Sequence, residues 1–362
     1  MPMTPIAFHP DMERPEDDEE RVRDELIATL RSISDTTFAH SGHGLRSVHA
    51  KSHGLLDVTV ETLGDLPAPY AQGLFATPGR YAGVMRFSTN PGDVLDDGVS
   101  APRGLALKVI GVEGERLPGS DGEETQDFLM ANAPAFAARN AAAFLKNLKL
   151  LAKTTDRAET AKKGLSSVLR AVEATIEAFG GKSATVTALG GQPMTQILGE
   201  TFFSQTPFLY GRNVAKFSIA PMSPDLKALE GASVSLDGRA DAHRDEINAF
   251  FRANGGEWEL RVQLLTDAER MPIEDASSVW PEDESPYVAV ARIRAEPQEG
   301  WSPAKSARVD DGLSFSPWRG LAAHRPLGSV NRVRRANYES SAGLRAERNS
   351  CPLNAPRAAA PA

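Results

Sequence analysis

Apolar and polar positions alternate along the chain in blocks that name its elements. The first stretch, Met1 to Pro15, shows no period. From Glu16 to Ser34, Val22, Leu26, Leu30 and Ile33 recur at spacings of three and four behind an acidic first turn, which predicts a helix. In "LLDVTVETL", Leu56, Val58 and Val60 alternate with Asp57, Thr59 and Glu61, the mark of a half-buried strand. "GVMRFSTN" puts Arg86 and Ser88 on one face and Met85 and Phe87 on the other. "RGLALKVIGV" and "TQDFLMANAPAF", stopped by Pro134, read as two further strands. The basic run "RSVHAKSHG", Arg46 to Gly54, precedes the first strand; read as strand itself, it sets Ser47, His49 and Lys51 opposite Val48 and Ala50.

The middle of the chain is helical in pattern. Residues Ala135 to Lys153 are rich in Ala, Leu and Lys, and Leu165, Val168, Leu169, Val172, Ile176 and Phe179 outline a second amphipathic helix closed by Gly180-Gly181. After Pro193, strand signals return in "YGRNVAKFSIAP", "GASVSLDGR", "EWELRVQLLTD" and "YVAVARIRAE", with a short helix, "ADAHRDEINAFFRANGG", among them. "SVNRVRRANYESSAGLRAERN" reads as helical over its first half, and the Ala- and Pro-rich end as a disordered tail. The sum is an α+β chain: an antiparallel β-sheet or barrel with a helical insertion and a closing C-terminal helix. The expected division is an arm and helix over 1–35, one main domain over 36–349 and a tail over 350–362.

Composition narrows the function classes. With 362 residues, 41% hydrophobic and 24% charged, the chain can bury a large core. A formal net charge of -8 argues against nucleic-acid binding, which needs a basic surface. The single cysteine, Cys351, has no partner for an internal disulfide. No secretory signal pattern and no run of about eighteen apolar residues occurs, so a cytoplasmic protein without a membrane span is expected.

Few residues stand out chemically. His49 is an imidazole in a run otherwise suited to a core, where a hydrogen-bonded structural histidine is the plainer reading. Arg86 and Ser88 project together from a strand, and a guanidinium there needs a partner. Arg334 and Tyr338 stand four apart, so on a helix they meet, and the cation favours the phenolate. A phenolate has a use where a ferric ion needs a ligand; otherwise such a pair is ordinary helix surface.

In order, these segments resemble the core of the haem catalases. "RSVHAKSHG" resembles the segment with the distal histidine, and "MRFSTNPGD" and "APRGLALKV" the next two strands. "QDFLMANAPAFAARNAAAF" resembles the segment with the distal asparagine and ring-lining phenylalanines. "SVWPEDESPYVAVARI" resembles a later Trp-Pro stretch, and "RVRRANY" with "LRAERN" the proximal arginine–tyrosine helix. The correspondence runs from Arg46 to Asn349, and the short length resembles the compact catalase-related peroxidase branch.

The resemblance implies heme b (iron) as cofactor and Tyr338 as the metal's ligand. It implies His49, Ser88 and an asparagine as the catalytic groups, and Arg334 as the partner of Tyr338. Arg46, Arg86 and Arg345 match the arginines that pair with haem propionates, and Phe136 and Phe144 match contacts to the ring. One position departs: counted back from Pro134, the distal asparagine falls on Ala131, with Asn132 one place later, so either a bulge lets Asn132 serve or the amide is missing. The expectation places Asn132 near the pocket. Asn140 stands where larger members carry an aspartate.

The implied function is a peroxidase or catalase reducing hydrogen peroxide or organic hydroperoxides through a ferryl intermediate, with a small organic reductant, in a monomer or homodimer. Three alternatives stay open: a hydroperoxide isomerase of the allene oxide synthase kind, a non-catalytic haem-binding protein, and a barrel with no cofactor.

Overall fold

The computed structural model describes residues 4–152, 194–236, 238–353 and 356. Its strands form one antiparallel sheet: β1 (Lys51–Thr62), β2 (Gly79–Thr89), β3 (Arg103–Ile110), β4 (Thr125–Ala131), β5 (Phe202–Phe203), β6 (Phe208–Tyr210), β7 (Asn213–Pro221), β8 (Gly256–Leu264) and β9 (Val288–Ala295). The spatial order is β5-β4-β3-β2-β1-β9-β8-β7-β6. β5 also pairs with β7, through Phe202↔Ile219 and Phe203↔Ser218, so eight strands close into a barrel and β6 hangs from β7 as a hairpin. Closure removes the exposed edges that an open sheet would offer to other chains.

Alternation decides which residues fill the barrel. Leu56, Met85, Leu107 and Phe128 face one another across β1 to β4, and Phe217, Leu260 and Ile293 complete the ring, all buried in one apolar cluster. The outward positions of the same strands meet a second layer. Leu55 and Val84 are covered by Val309, Leu313 and Phe315 of a later loop. Beside it, α1 (Glu19–Ser41), α2 (Ala141–Ala152) and α4 (Ser329–Arg348) pack through Val22, Leu26, Leu145, Leu148 and Val333. A further helix, α3 (Ala242–Ala253), lies against β1.

The expected α+β architecture and its antiparallel barrel are present, with four local differences. α1 runs past Ser34 to Ser41 and stops at left-handed Gly42 (φ 67°). Among its described residues, "GASVSLDGR" supplies one bridge, from Ser233 to Thr195, rather than a strand of the sheet. α4 is helical to Arg348 rather than over its first half. Its Ser-Ser-Ala-Gly stretch is a poor helix former, but Arg345 and Arg348 anchor the second half to the carbonyls of Leu313 and Ser34. The run before β1 is not strand: residues 47–49 bend, His49 is left-handed (φ 53°), and the strand starts at Lys51. The amphipathic helix expected over 165–179 lies outside the described residues. Among the described residues, no helix is long and apolar enough to cross a membrane.

Two buried histidines set an acid limit on stability. Burial pushes His243 down to about 3, with Arg103 and Lys51 adding to it, and burial pushes His324 down to about 4. Unfolded imidazoles accept protons from about pH 6.5, so neutral burial stabilises fully above that value and is lost as pH falls toward the folded values. Each contributes a slope of up to about 1.4 kcal/mol per pH unit. The urea midpoint is expected to drop between pH 6.5 and pH 4, and a midpoint flat over that interval contradicts two histidines buried neutral.

Candidate functional site

The bend before β1 turns His49 over the barrel's outer face. A non-glycine residue in the left-handed region is uncommon, and here it is held on both sides. The His49 N–H donates to Asn90 Oδ1 (3.4 Å), and its carbonyl, with that of Ala50, accepts from Arg86 Nη2 at 2.9 and 3.2 Å. The imidazole lies directly on Gly104: a Cβ there would stand 2.6 Å from its Cε1, so only glycine leaves the ring its place. The expected common face of Ser47, His49 and Lys51 is not formed. Lys51 Nζ instead donates to Asp97 Oδ1 (2.8 Å) and to two carbonyls, while Ser47 Oγ lies 3.0 Å from Ser34 Oγ and 2.8 Å from Ser341 Oγ.

Ser88 completes the imidazole's setting. Its Oγ is 3.3 Å from His49 Nδ1 and donates to the Gly104 carbonyl (3.4 Å). A hydroxyl has one proton, so while it serves Gly104 the oxygen accepts from Nδ1–H. That fixes the tautomer with an unprotonated Nε2. Burial, then the charges of Arg86 and Arg334, push His49 down to about 3, so the ring is neutral at physiological pH. Arg334, whose charge reaches the imidazole, lies on α4.

On α4, Arg334 Nη2 donates to Tyr338 Oη at 3.1 Å, the contact their spacing of four predicts. Nη1 donates to Asn331 Oδ1 (3.1 Å). About two turns beyond Tyr338, Arg345 enters a cluster with Arg46 and Arg86 around Asp310. Arg86 Nε and Arg46 Nη1 donate to Asp310 Oδ1 at 2.7 and 3.1 Å, and Ser52 and Ser306 donate to Oδ2 at 2.6 and 2.8 Å. Arg345 donates to the carbonyls of Asp310 and Leu313, which Arg46 also uses. Asp310 lies in a π-helical turn, Ala307–Asp311, a form that recurs at functional sites. Burial alone would raise its carboxyl, but Arg86 and Arg46 hold it well below the usual range. The arginines respond in kind: burial and its two neighbours push Arg46 well down, and burial with Arg86 pushes Arg345 down to about 10. Three guanidiniums face one directly paired carboxylate. The cluster keeps surplus positive charge.

Phe136 and Phe144 meet edge to face at 5.1 Å, and Phe144 packs on the α1–α2–α4 cluster that includes Val333. Asn140 caps α2, its Oδ1 accepting from the Ala143 N–H, while its Nδ2 donates to Glu16. Asn132 is drawn elsewhere than His49. Its Oδ1 accepts from the Arg103 N–H (3.0 Å) and its Nδ2 donates to Glu200 Oε2 (2.9 Å), and Glu200 is paired with the Arg103 side chain. Ala131 pairs with Gly104, which pairs with Ser88, and directly opposed residues share a face. The Ala131 methyl therefore shares the face of Ser88 and His49. The structure joins His49, Ser88, Arg46, Arg86 and Arg345 in one hydrogen-bonded network through Asp310, and it pairs Arg334 with Tyr338 on the helix that carries Arg345.

Three residues of the site escaped sequence reasoning. Asp310 in "RVDDG" has no local pattern, since its role comes from cations remote in sequence. Gly104 is marked only as a glycine inside a strand. Asn331 had a usable signal: it precedes Arg334 by three and Tyr338 by seven, on one helix face.

No protein-family model matches the chain, and no curated protein sequence is similar to it. Solved structures are. A fungal catalase superposes with a TM-score of 0.58 at 17% identity, over 87% of this chain and 61% of that one. Catalase A from Saccharomyces cerevisiae gives 0.57 at 16%, over 96% and 67%, and a bacterial catalase 0.55 at 15%, over 95% and 63%. The chain has the catalase fold, and it spans 61% to 67% of the length of these neighbours.

Removing the carboxylate from the arginine cluster leaves Arg46 and Arg86 without their ion-pair partner and Arg345 beside two uncompensated cations. Asp310→Ala is expected to cost about 3–5 kcal/mol of unfolding free energy in a denaturant titration. A loss under about 1 kcal/mol contradicts the cluster as drawn.

Proposed function

We propose that the chain is a haem-dependent peroxidase or catalase, reducing hydrogen peroxide or an organic hydroperoxide with a small organic reductant, in the manner of the compact catalase-related peroxidases. The observation that carries this reading is the neutral His49 ring, its Nε2 unprotonated, under the influence of the Arg334 that holds Tyr338. The donor set fits an iron porphyrin. Tyr338 is a phenol ready to ligate ferric iron, and the surplus charge of Arg46, Arg86 and Arg345 suits the ring's two carboxylates. Phe136 and Phe144, which pack on each other, would offer the ring apolar surface, as the resemblance implies.

The bound group supplies the electrons that reduce the O–O bond; the chain supplies proton transfer and placement. Nε2 of His49 takes the proton of the peroxide oxygen nearest the ring and returns it to the far oxygen, which leaves as water or alcohol. A base held neutral down to about pH 3 keeps that lone pair available over the physiological range. Ser88 keeps the tautomer, receiving Nδ1–H while donating to Gly104. Arg334 holds the Tyr338 oxygen by a direct hydrogen bond, and Arg86 fixes the bend that carries His49. In this reading His49 and Ser88 work without the Asn132 amide, which serves Glu200 and Arg103. A second reading, rearrangement of an organic hydroperoxide, draws support from the Ala131 methyl on the imidazole's face, which suits an alkyl substrate.

His49→Ala is expected to lower the second-order rate of peroxide consumption by about 100-fold or more at unchanged haem content. Stopped-flow decay of hydrogen peroxide and of cumene hydroperoxide measures it, and consumption at the wild-type rate removes His49 from the reaction. Product analysis separates the two readings: an alcohol and oxidised donor mean reduction, an epoxide without donor oxidation means rearrangement.

A further inference from the structure

Arg334 differs from its neighbours on α4. Arg332 lies among Glu13, Glu19 and Glu274, Arg335 pairs with Glu339, and Arg348 pairs with Asp35. Among the described residues, Arg334 makes no ion pair; its second partner is the amide of Asn331. That amide is wholly buried and fully used. Its Nδ2 donates to the carbonyls of Pro207 (2.9 Å) and Leu327 (3.1 Å), and its Oδ1 accepts from Thr206 Oγ1 and Arg334 Nη1, both at 3.1 Å. Two donors and two lone pairs are all an asparagine has. Pro207 and Leu327 offer only acceptors, so the NH2 end must face them and the oxygen must face the guanidinium. A flipped amide would set an N–H against the guanidinium and the oxygen against two carbonyls.

We propose that Asn331 is the positioning residue of the Arg334–Tyr338 pair, holding the guanidinium against the phenol while leaving its charge uncompensated. A carboxylate at this place would hold Arg334 equally well by geometry. It would also share the cation's hydrogen bonds and field, and the phenol oxygen would feel less of both. A neutral amide confines Arg334 at no electrostatic loss to Tyr338. This inference rests on Tyr338 being the ligand of ferric iron.

The test uses the full chain loaded with hemin, in wild-type, Asn331→Asp, Asn331→Ala and Tyr338→Phe forms, each checked for native far-UV circular dichroism. The readouts, both at one fixed near-neutral pH, are the hemin dissociation constant and the position of the absorption band lost in Tyr338→Phe. Asn331→Ala, which frees the guanidinium, is expected to weaken hemin binding about tenfold and to shift the band. Asn331→Asp, which keeps the geometry but adds a competing charge, is expected to weaken binding by roughly threefold. If Asn331→Asp does not fold, Asn331→Ala decides alone. Dissociation constants within about 1.5-fold of wild type and an unmoved band in folded variants overturn the positioning role while Tyr338→Phe still loses the band. If Tyr338→Phe keeps the wild-type spectrum, Tyr338 is not the ligand, and the role of Asn331 falls with it.

Discussion

Arg46, Arg86 and Arg345 come from a bend, a strand and a helix, and all three converge on one π-helical turn, the first two on the Asp310 carboxylate and the third on its backbone carbonyl. Burying a cation without a counter-charge is among the costliest things a fold can do. The turn answers with a carboxylate, two serine hydroxyls on its far oxygen and backbone carbonyls from Val309 to Leu313. Because each arginine belongs to a different element, the electrostatic demand is also a positional one. The bend carrying His49, the strand carrying Ser88 and the helix carrying Tyr338 are registered to one another through it.

The closed barrel supplies what that cluster cannot. Its interior is filled by apolar side chains, so the chemistry is displaced to the outer face, where every second residue of β2, β3 and β4 points. Arg86, Ser88, Gly104 and Ala131 are such positions. Their spacing follows from the pleat, and a one-residue change moves a side chain to the other face. Asn132 shows the consequence: one place beyond Ala131, its amide serves the Arg103–Glu200 pair instead of the imidazole. Electrostatics then sorts the groups. Burial, helped by the arginines, holds His49 neutral while Arg86 and Arg46 hold Asp310 ionised, so imidazole and counter-ion need no titration between them.

Much of this was legible in the chain's patterns and some was not. Alternation located β1 and β2, which have one face in the apolar interior, while β3, β4 and β7 to β9 showed as strand-forming runs, β7 being buried on both faces. The i, i+4 spacing of Arg334 and Tyr338 became a hydrogen bond because a helix leaves neighbours four apart no other geometry. His49 was misplaced on a strand, since a left-handed bend sustained by Asn90 and Arg86 leaves no periodic trace. The second half of α4 defied its weak propensity because its arginines are anchored from outside. Asp310 was invisible for the same reason: its partners lie up to 264 residues away in sequence.

The most direct measurement is a hemin titration of the purified chain, followed by its visible spectrum, beside Tyr338→Phe. The expected result is saturation near one hemin per chain with a ferric spectrum that Tyr338→Phe lacks. Unsaturable uptake, the same in both proteins, would contradict a porphyrin held between His49 and Tyr338.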